Sequence, residues 1–210
     1  LVMNRIENVT SATPDGMIAA LALPISSGDM EKAIEDLRKA SGLKAAKKAS
    51  RVAAEGVVMA KVSGDGNRGV ILEVNSETDF VARDENFLRF AGEALEMAYN
   101  ENDASVEVLL SKGLEESRQA LVQKIGENIS VRRIERLNFE NANQGIVESY
   151  VHNNEKIGVL ISLKGGDEAL ARDIAMHIAA VNPLVVRPED VPEDVLAKES
   201  EIYAAQARES

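Results

Sequence analysis

Hydrophobic residues recur at two different spacings along the chain, and the change of spacing divides it into regions. Residues 1–54 have mainly helical spacing, which predicts a small helical N-terminal domain and a linker helix, interrupted at Ser41-Gly42. Beyond this region the apolar positions alternate. Residues 57–62 and 70–74 are therefore predicted strands, and the Gly- and Asn-containing turn between them predicts a hairpin.

The first hairpin is followed by two predicted helices and a third strand. One helix begins near Asp84, and another ends at Gly126, because a glycine directly after a helical run is typical of a helix C-terminus. Residues 129–137 alternate again and form the third predicted strand. The inward face of the first helix is predicted to consist of Phe87, Phe90, Ala91, Ala94, Leu95 and Ala98.

The strand-strand-helix pattern then occurs a second time. Gly145 and Gly158 are separated by the same thirteen positions as Gly56 and Gly69, and each pair brackets a hairpin. The second unit has predicted strands at residues 145–151 and 157–163 and a helix at residues 167–181. The inward face of that helix is predicted to consist of Leu170, Ile174, Ile178 and Val181.

This duplication predicts an α+β fold with two similar antiparallel sheets and helices packed on them. The predicted domains are a helical N-terminal region at residues 1–54, core subdomains at residues 55–140 and 141–190, and a last helical element at residues 191–210. The last helix contains no stop signal, so this helical element is expected to continue.

The charge of the chain argues against nucleic acid as a partner. The formal net charge is -11 at pH 7, so a phosphate backbone is repelled on average. Cysteine is absent, which excludes disulfides and thiolate chemistry and is typical of a reducing compartment. No apolar run approaches the roughly 20 residues that cross a bilayer, and no signal peptide is evident. These features predict a cytoplasmic protein without a membrane partner.

The usual signatures of catalysis are missing from the sequence. It contains neither a glycine loop for phosphate nor the metalloprotease and serine-hydrolase motifs, so we predict no enzyme, no cofactor and no metal site. His152 is predicted at an exposed hairpin turn. His177 lies on an apolar stripe and is interpreted as a core or interface residue. A hydrolase that uses Asp79 with either histidine is the least favoured alternative.

The turn after the first hairpin, NSETDFVARD at residues 75–84, places an acid beside an aromatic residue in a chain with only four Phe. Phe80 is either a core residue or an exposed contact residue. The second unit enters its helix through residues 164–168 without an aromatic residue, so the first unit contains an insertion. An insertion in one of two matched units favours a role at the surface.

The linker helix is predicted to present a basic stripe. This stripe is either an ordinary solvated helix face or a contact for an acidic partner surface. It consists of Lys44, Lys47, Lys48 and Arg51, which recur at helical spacing.

Six segments between about Gly28 and the end of the chain form a recognisable set. They are AIEDLRKASGLKAAKKA at residues 33–49, TDFV at residues 78–81, KIGENISVRR at residues 124–133, SYVH at residues 149–152, IGVL at residues 157–160 and IAMHIAA at residues 174–180. In their order and spacing, these segments resemble those of the elongation factor Ts family.

The resemblance implies a guanine-nucleotide exchange factor whose partner is the translational GTPase elongation factor Tu. It also implies a core of two related subdomains and an N-terminal helical bundle similar to ubiquitin-associated domains. It further implies that the last helix is the truncated start of a helical (coiled-coil) hairpin. Asp79 and Phe80 are implied to enter the GTPase, where the Phe wedges between helices beside the nucleotide and disturbs the Mg²⁺ environment. The implied contact residues are Thr78, Asp79, Phe80, Val81, Ile125, Gly126, His152 and His177.

Two questions stay open at the level of the sequence. Asp79 either competes with a ligand of the partner's Mg²⁺ or caps a helix. The chain as a whole is either an exchange factor or a non-catalytic adaptor with a ubiquitin-associated-like module. Residues 10–17 depart from the family's Thr-Gly-x-Gly-Met-Met segment, so no contact residue is predicted there. A bacterial rather than an organellar source is expected.

Overall fold

The core of the protein has four layers, in the order helix, sheet, sheet, helix. The computed structural model describes residues 4–6, 30–101, 105–139 and 145–209. Two three-stranded antiparallel sheets form the middle layers, and helices cover their outer faces. This arrangement is the α+β fold that the duplicated sequence pattern predicts.

The elements follow one another in nearly the predicted order. The strands are β1 (Asn4–Ile6), β2 (Glu55–Val62), β3 (Arg68–Ser76), β4 (Ser130–Asn138), β5 (Ile146–Val151) and β6 (Gly158–Leu163). The helices are α1 (Met30–Lys48), α2 (Glu85–Asn100), α3 (Val106–Leu109), α4 (Glu115–Ile125), α5 (Glu168–Val181) and α6 (Glu193–Glu209). Short 3-10 turns lie at Val81–Arg83 and Pro188–Asp190. The segment Leu110–Leu114 joins α3 to α4 through a kink, because Lys112 and Gly113 do not have helical backbone angles.

The first sheet has the order β2-β3-β4. Glu55 lies opposite Ser76, and Asn75 lies opposite Ser130. The start of β2, the end of β3 and the start of β4 therefore share one end of the sheet. The outer face packs on α2 and α4 through residues that include Val70, Leu72 and Val74.

The second sheet has the order β1-β6-β5, and α5 covers its outer face. In both sheets the second strand of the hairpin is central and accepts a third strand along its other edge. That third strand is β4 in the first sheet and β1 in the second. The helical prediction for residues 1–54 is therefore wrong at Asn4–Ile6, which pairs with β6.

The two sheets pack face to face, and a pair of glycines permits the close approach. A Cβ on Gly158 would lie 2.4 Å from Val58 Cγ1, and a Cβ on Gly69 would lie 2.7 Å from Leu160 Cδ1. Gly69 and Gly158 are the second glycines of the two matched pairs, and each lies where the central strand of one sheet meets the other sheet. The shared cluster between the sheets consists of Val58, Ile71, Leu137, Val147 and Leu160.

Helix α2 has the inward face that its periodicity predicts. Asp84 caps its N-terminus, because the Asp84 carboxylate accepts a hydrogen bond from the backbone N–H of Asn86 at 2.9 Å. All six residues predicted to face inward are buried. Gly92 lies on the same helix, and a Cβ at this position would meet no other part of the protein within 4 Å.

We expect Gly92→Ala to stabilise the chain by about 0.5–1 kcal/mol, because glycine in a helix interior has the larger conformational entropy to lose. The measurement is urea unfolding, with a higher midpoint and an unchanged m-value. Gly113→Ala is the contrast, since Gly113 has a φ of 104° that alanine adopts only with strain. A lower midpoint for Gly92→Ala would contradict the expectation.

Helix α1 runs without a break through Ser41-Gly42, so the predicted interruption there is wrong. A Cβ on Gly42 would lie 3.1 Å from Gln119 Oε1 on α4. The glycine therefore lies where α1 and α4 pack closely, and this tertiary packing outweighs its weak helix propensity.

The predicted inward face of α5 is partly wrong. Ile178 is buried as expected, but Leu170 and Val181 are exposed. The other buried positions of the helix are Ala171 and Ala175. Their small side chains let α5 lie close to the second sheet. The larger side chains of Leu170 and Val181 lie at the edges of the contact between helix and sheet.

The predicted N-terminal bundle falls largely on residues 7–29, which lie outside the described residues. Helix α1 occupies the position of the predicted linker helix, and α6 confirms that the last described segment is helical. The interpretation of α6 as the start of a helical hairpin stays a prediction.

Candidate partner-binding site

Phe80 faces solvent, so its interpretation as a core residue is wrong. Its side chain is 83% exposed, the largest value among the exposed large apolar residues that the structure describes. By contrast, Phe87 and Phe90 are buried on α2, and Phe139 packs partly against the cluster between the sheets. An exposed aromatic ring offers apolar area that a partner surface can bury.

The turn that presents Phe80 is longer than its counterpart in the second unit. Residues 77–84 separate β3 from α2, whereas residues 164–167 separate β6 from α5, which confirms the predicted insertion. Within the insertion, Phe80 precedes the 3-10 turn Val81–Arg83. Ala82 is buried and Val81 is half-buried, so the chain is anchored immediately after Phe80.

The same turn is anchored before Phe80 by a pair of crossed interactions, which we call the glutamate clamp (Glu77, Thr78, Glu127 and Asn128). Thr78 donates from its backbone N to Glu127 Oε2 at 3.0 Å and from Oγ1 to Glu127 Oε1 at 2.7 Å. In the opposite direction, Asn128 N donates to Glu77 Oε1 at 2.6 Å. The turn after β3 and the loop after α4 therefore hold each other.

Gly126 ends α4 and directs the following residues toward the clamp. It has a φ of 89°, in the left-handed region that favours glycine, and its N–H donates to the carbonyl of Val122 at 3.0 Å. This geometry confirms the predicted C-cap. Ile125 is partly buried against the first core, so it lies beneath the surface rather than at its tip.

The predicted basic stripe divides between two environments, and Arg51 lies beyond Lys48, the last residue of α1. Lys48 Nζ donates to the carbonyl of Gly126, and Arg51 Nη1 lies 3.4 Å from Glu77. Lys44 and Lys47 are exposed. Half of the stripe thus supports the clamp from within the chain, which neither interpretation of the sequence predicted.

Asp79 lies beside Phe80 and is partly exposed. Its carboxylate accepts a hydrogen bond from Arg83 Nη2 at 3.2 Å, one turn further along the chain. The cap of α2 is Asp84, and the 3-10 turn has no side-chain cap. Of the two roles that the sequence left open for Asp79, the helix cap is therefore wrong.

The His152 turn lies near the same end of the first sheet. His152 is exposed, as predicted, and its Nδ1 lies 3.0 Å from the Tyr150 hydroxyl. The turn is docked on β2, because Val58 N donates to the carbonyl of Glu155 at 2.6 Å and Lys156 pairs with Glu55. Since Glu55 lies opposite Ser76, this turn and the Phe80 turn flank the same strand ends.

His177 lies apart from these turns, on α5. It is exposed, so its interpretation as a core residue is wrong. The preceding residue on the buried stripe is Ala175, and the following one is Ile178. These positions place His177 on the outer side of the helix.

Sequence reasoning did not single out the two glutamates of the clamp. Glu127 follows the C-cap of α4, where the helix dipole favours cations rather than acids. An acid directly after a helix C-terminus is therefore unusual. This was the one sign in the sequence that the Glu127 carboxylate has a partner elsewhere. Its partner Thr78 is 49 positions away, which no local pattern identifies.

Two further properties concern the described part of the chain as a whole. Among those residues, no group of three or more His, Cys, Asp or Glu side chains could hold a metal ion. None of their helices is both long and apolar enough to cross a membrane.

The fold and the site define the class of the protein: a duplicated α+β core that presents an exposed aromatic turn. Residues 77–210 match the family model described as Elongation factor TS. The chain belongs to the elongation factor Ts family.

Similar proteins come from several bacteria. The chain is 59% identical over 189 residues to elongation factor Ts of Hahella chejuensis, an alignment that covers 90% of this chain and 64% of the relative. Identity to elongation factor Ts of Teredinibacter turnerae is 56%, with 88% of this chain and 62% of the relative covered. For Francisella tularensis subsp. novicida it is 47%, with 98% and 71% covered. The chain thus spans slightly less than two thirds of the first two relatives.

Proposed function

We propose that the chain is a guanine-nucleotide exchange factor that binds elongation factor Tu and promotes release of GDP. The observation that supports this most directly is Phe80, an 83% exposed ring on a turn that is anchored on both sides. Membership of the elongation factor Ts family supports a role in translation elongation. The protein would act in the bacterial cytoplasm by binding alone, without covalent chemistry, a cofactor, nucleic acid or a membrane.

The exchange reaction requires a difference in affinity between two states of the GTPase. GDP held with nanomolar affinity is stabilised by roughly 12 kcal/mol. A factor that binds the nucleotide-free GTPase more tightly than the loaded one lowers nucleotide affinity by the same coupling free energy. Phe80 meets this requirement, because its ring is buried only when helices of the partner move apart. The same movement displaces ligands of Mg²⁺ or phosphate.

Asp79 has a distinct role in this proposal. Its carboxylate pairs with Arg83 at the protein surface, where such pairs contribute little to stability. On binding, the carboxylate can leave Arg83 and compete for a ligand position near the partner's Mg²⁺. Thr78 and Val81 support the turn from either side.

The remaining contact residues extend the proposed surface. Gly126 and the exposed His152 turn lie at the same end of the first sheet as Phe80, with Ile125 beneath them. His177 belongs to a second region on α5, which a large partner reaches across the second sheet.

The test is release of a fluorescent GDP from preloaded elongation factor Tu, with unlabelled GDP in excess. We expect catalytic amounts of the chain to accelerate release. Binding in gel filtration without acceleration identifies a non-catalytic adaptor instead. Absence of both binding and acceleration contradicts the proposal.

A further inference from the structure

We infer that Glu127 is a positioning residue for nucleotide exchange, because it holds the turn that presents Phe80. This inference rests on the proposed exchange function. Both carboxylate oxygens of Glu127 are engaged by Thr78, at 3.0 Å from the backbone N and 2.7 Å from Oγ1. Thr78 lies two residues before Phe80, so these bonds set the direction in which the backbone approaches the ring.

The glutamate clamp resists displacement because it is reciprocal. Glu127 accepts hydrogen bonds from the turn after β3, while Glu77 in that turn accepts one from Asn128 at 2.6 Å. Ser76 Oγ adds a bond to the carbonyl of Thr78 at 3.1 Å. Neither loop can move away from the other without breaking charge-assisted hydrogen bonds, which are stronger than neutral ones.

The position of Glu127 indicates that its role is to form the hydrogen bonds of the glutamate clamp, because it does not stabilise α4. A carboxylate at the end of α4 is disfavoured by the dipole of that helix. Lys48 Nζ bonds the adjacent Gly126 carbonyl and supplies a positive charge nearby. Glu127 is therefore an acid that the dipole of α4 disfavours, and the group that its carboxylate contacts is Thr78.

The clamp and Phe80 should affect different kinetic constants. With the clamp intact, the turn has its binding conformation before the partner arrives. Without the clamp, only a fraction of the molecules has the turn in its binding conformation, and the apparent affinity for the partner falls by that fraction. A saturating concentration of the partner draws all molecules into the binding conformation. Loss of Glu127 should therefore raise KM for GDP-loaded elongation factor Tu and leave kcat nearly unchanged. Loss of Phe80 should lower kcat.

The experiment compares Glu127→Ala and Glu127→Gln in steady-state release, with the chain at catalytic concentration and GDP-loaded elongation factor Tu varied. We expect Glu127→Ala to raise KM about tenfold with kcat within about twofold. Glu127→Gln should stay within about threefold in KM, because the amide oxygen can accept from the Thr78 N–H while the amide NH₂ donates to the hydroxyl. Glu116→Ala is the matched control, an exposed acid on α4 and outside the clamp that should keep the wild-type KM.

A merely structural role gives a different result. Partial unfolding reduces the amount of active factor, which lowers kcat and leaves KM unchanged. If Glu127→Ala does not fold, Thr78→Val serves as the second variant. It keeps the backbone hydrogen bond and loses the hydroxyl, so we expect a smaller rise in KM, about threefold.

The outcomes separate this inference from the proposed function. An unchanged KM in Glu127→Ala, beside an active wild-type chain, overturns the inference and leaves the exchange function in place. A wild-type chain that does not accelerate release overturns the exchange function and any role of Glu127 in it. In both cases, amide hydrogen exchange at residues 77–80 reports on the clamp itself. Protection should be lost in Glu127→Ala and kept in Glu127→Gln, and equal protection would show that Glu127 does not hold the turn.

Discussion

Replacing Phe80 by alanine is expected to reduce the stimulated rate of GDP release by about tenfold to a hundredfold. Full burial of a Phe side chain contributes about 1.5–3 kcal/mol, and each 1.36 kcal/mol of transition-state stabilisation is a factor of ten in rate. Phe80 is 83% exposed in the free chain, so that contribution becomes available only in the complex. The measurement is kcat for fluorescent GDP release from elongation factor Tu.

The free energy of unfolding of Phe80→Ala distinguishes a contact role of Phe80 from a core role. Phe80→Ala should change the free energy of unfolding by no more than about 0.5 kcal/mol, as is usual for surface substitutions. Phe87→Ala is the matched control, because Phe87 is fully buried on α2 and its loss should cost about 3–5 kcal/mol. A Phe80→Ala variant that unfolds like Phe87→Ala, or one that keeps the wild-type kcat, contradicts the assignment.

Adding a methyl group at Gly158 is expected to destabilise the chain by about 1–3 kcal/mol, because the new Cβ overpacks the contact between the sheets. That Cβ would lie 2.4 Å from Val58 Cγ1 and 2.9 Å from Ile71 Cδ1, closer than carbon atoms approach without displacement. For a chain of this length the change corresponds to a fall in Tm of roughly 2–4 °C per kcal/mol. Urea unfolding of Gly158→Ala at constant m-value measures the loss.

Two further variants test whether the loss of stability in Gly158→Ala comes from the contact between the sheets. Gly64→Ala, at a position with no neighbour within 4 Å of the added Cβ, should change stability by less than about 0.5 kcal/mol. Combining Gly158→Ala with Val58→Ala removes the methyl group that clashes, so the double variant should lose less than the sum of the single losses. Strict additivity would show that the sheets do not meet at this glycine.

Elements whose partners are close in sequence could be predicted from local patterns. The cap of α2 joins Asp84 to Asn86, and the C-cap at Gly126 bonds Val122, so both depend on neighbours within a turn. The two hairpins likewise depend on short connections. The exposure of Phe80 could be predicted by comparing the two units and from the family resemblance. The local pattern did not predict it, because a lone aromatic residue after a strand is equally compatible with a core position.

The parts that could not be predicted depend on contacts between distant segments. Lys48 and Gly126 are 78 positions apart, and no spacing along the chain indicates that they touch. The face of α5 was misjudged because helical periodicity favours large apolar residues such as Leu170 as the buried ones. The close fit of the helix on its sheet instead selects Ala171 and Ala175.

The face-to-face sheets also set an order of events during synthesis. The inner face of the first sheet is complete once β4 has left the ribosome, but Val58 and Ile71 have no cover until β5 and β6 follow. Ribosomes add roughly 5–20 residues per second, so residues 139–163 take on the order of seconds to emerge. During that interval the inner face of the first sheet is an exposed apolar surface, and such surfaces are prone to aggregation.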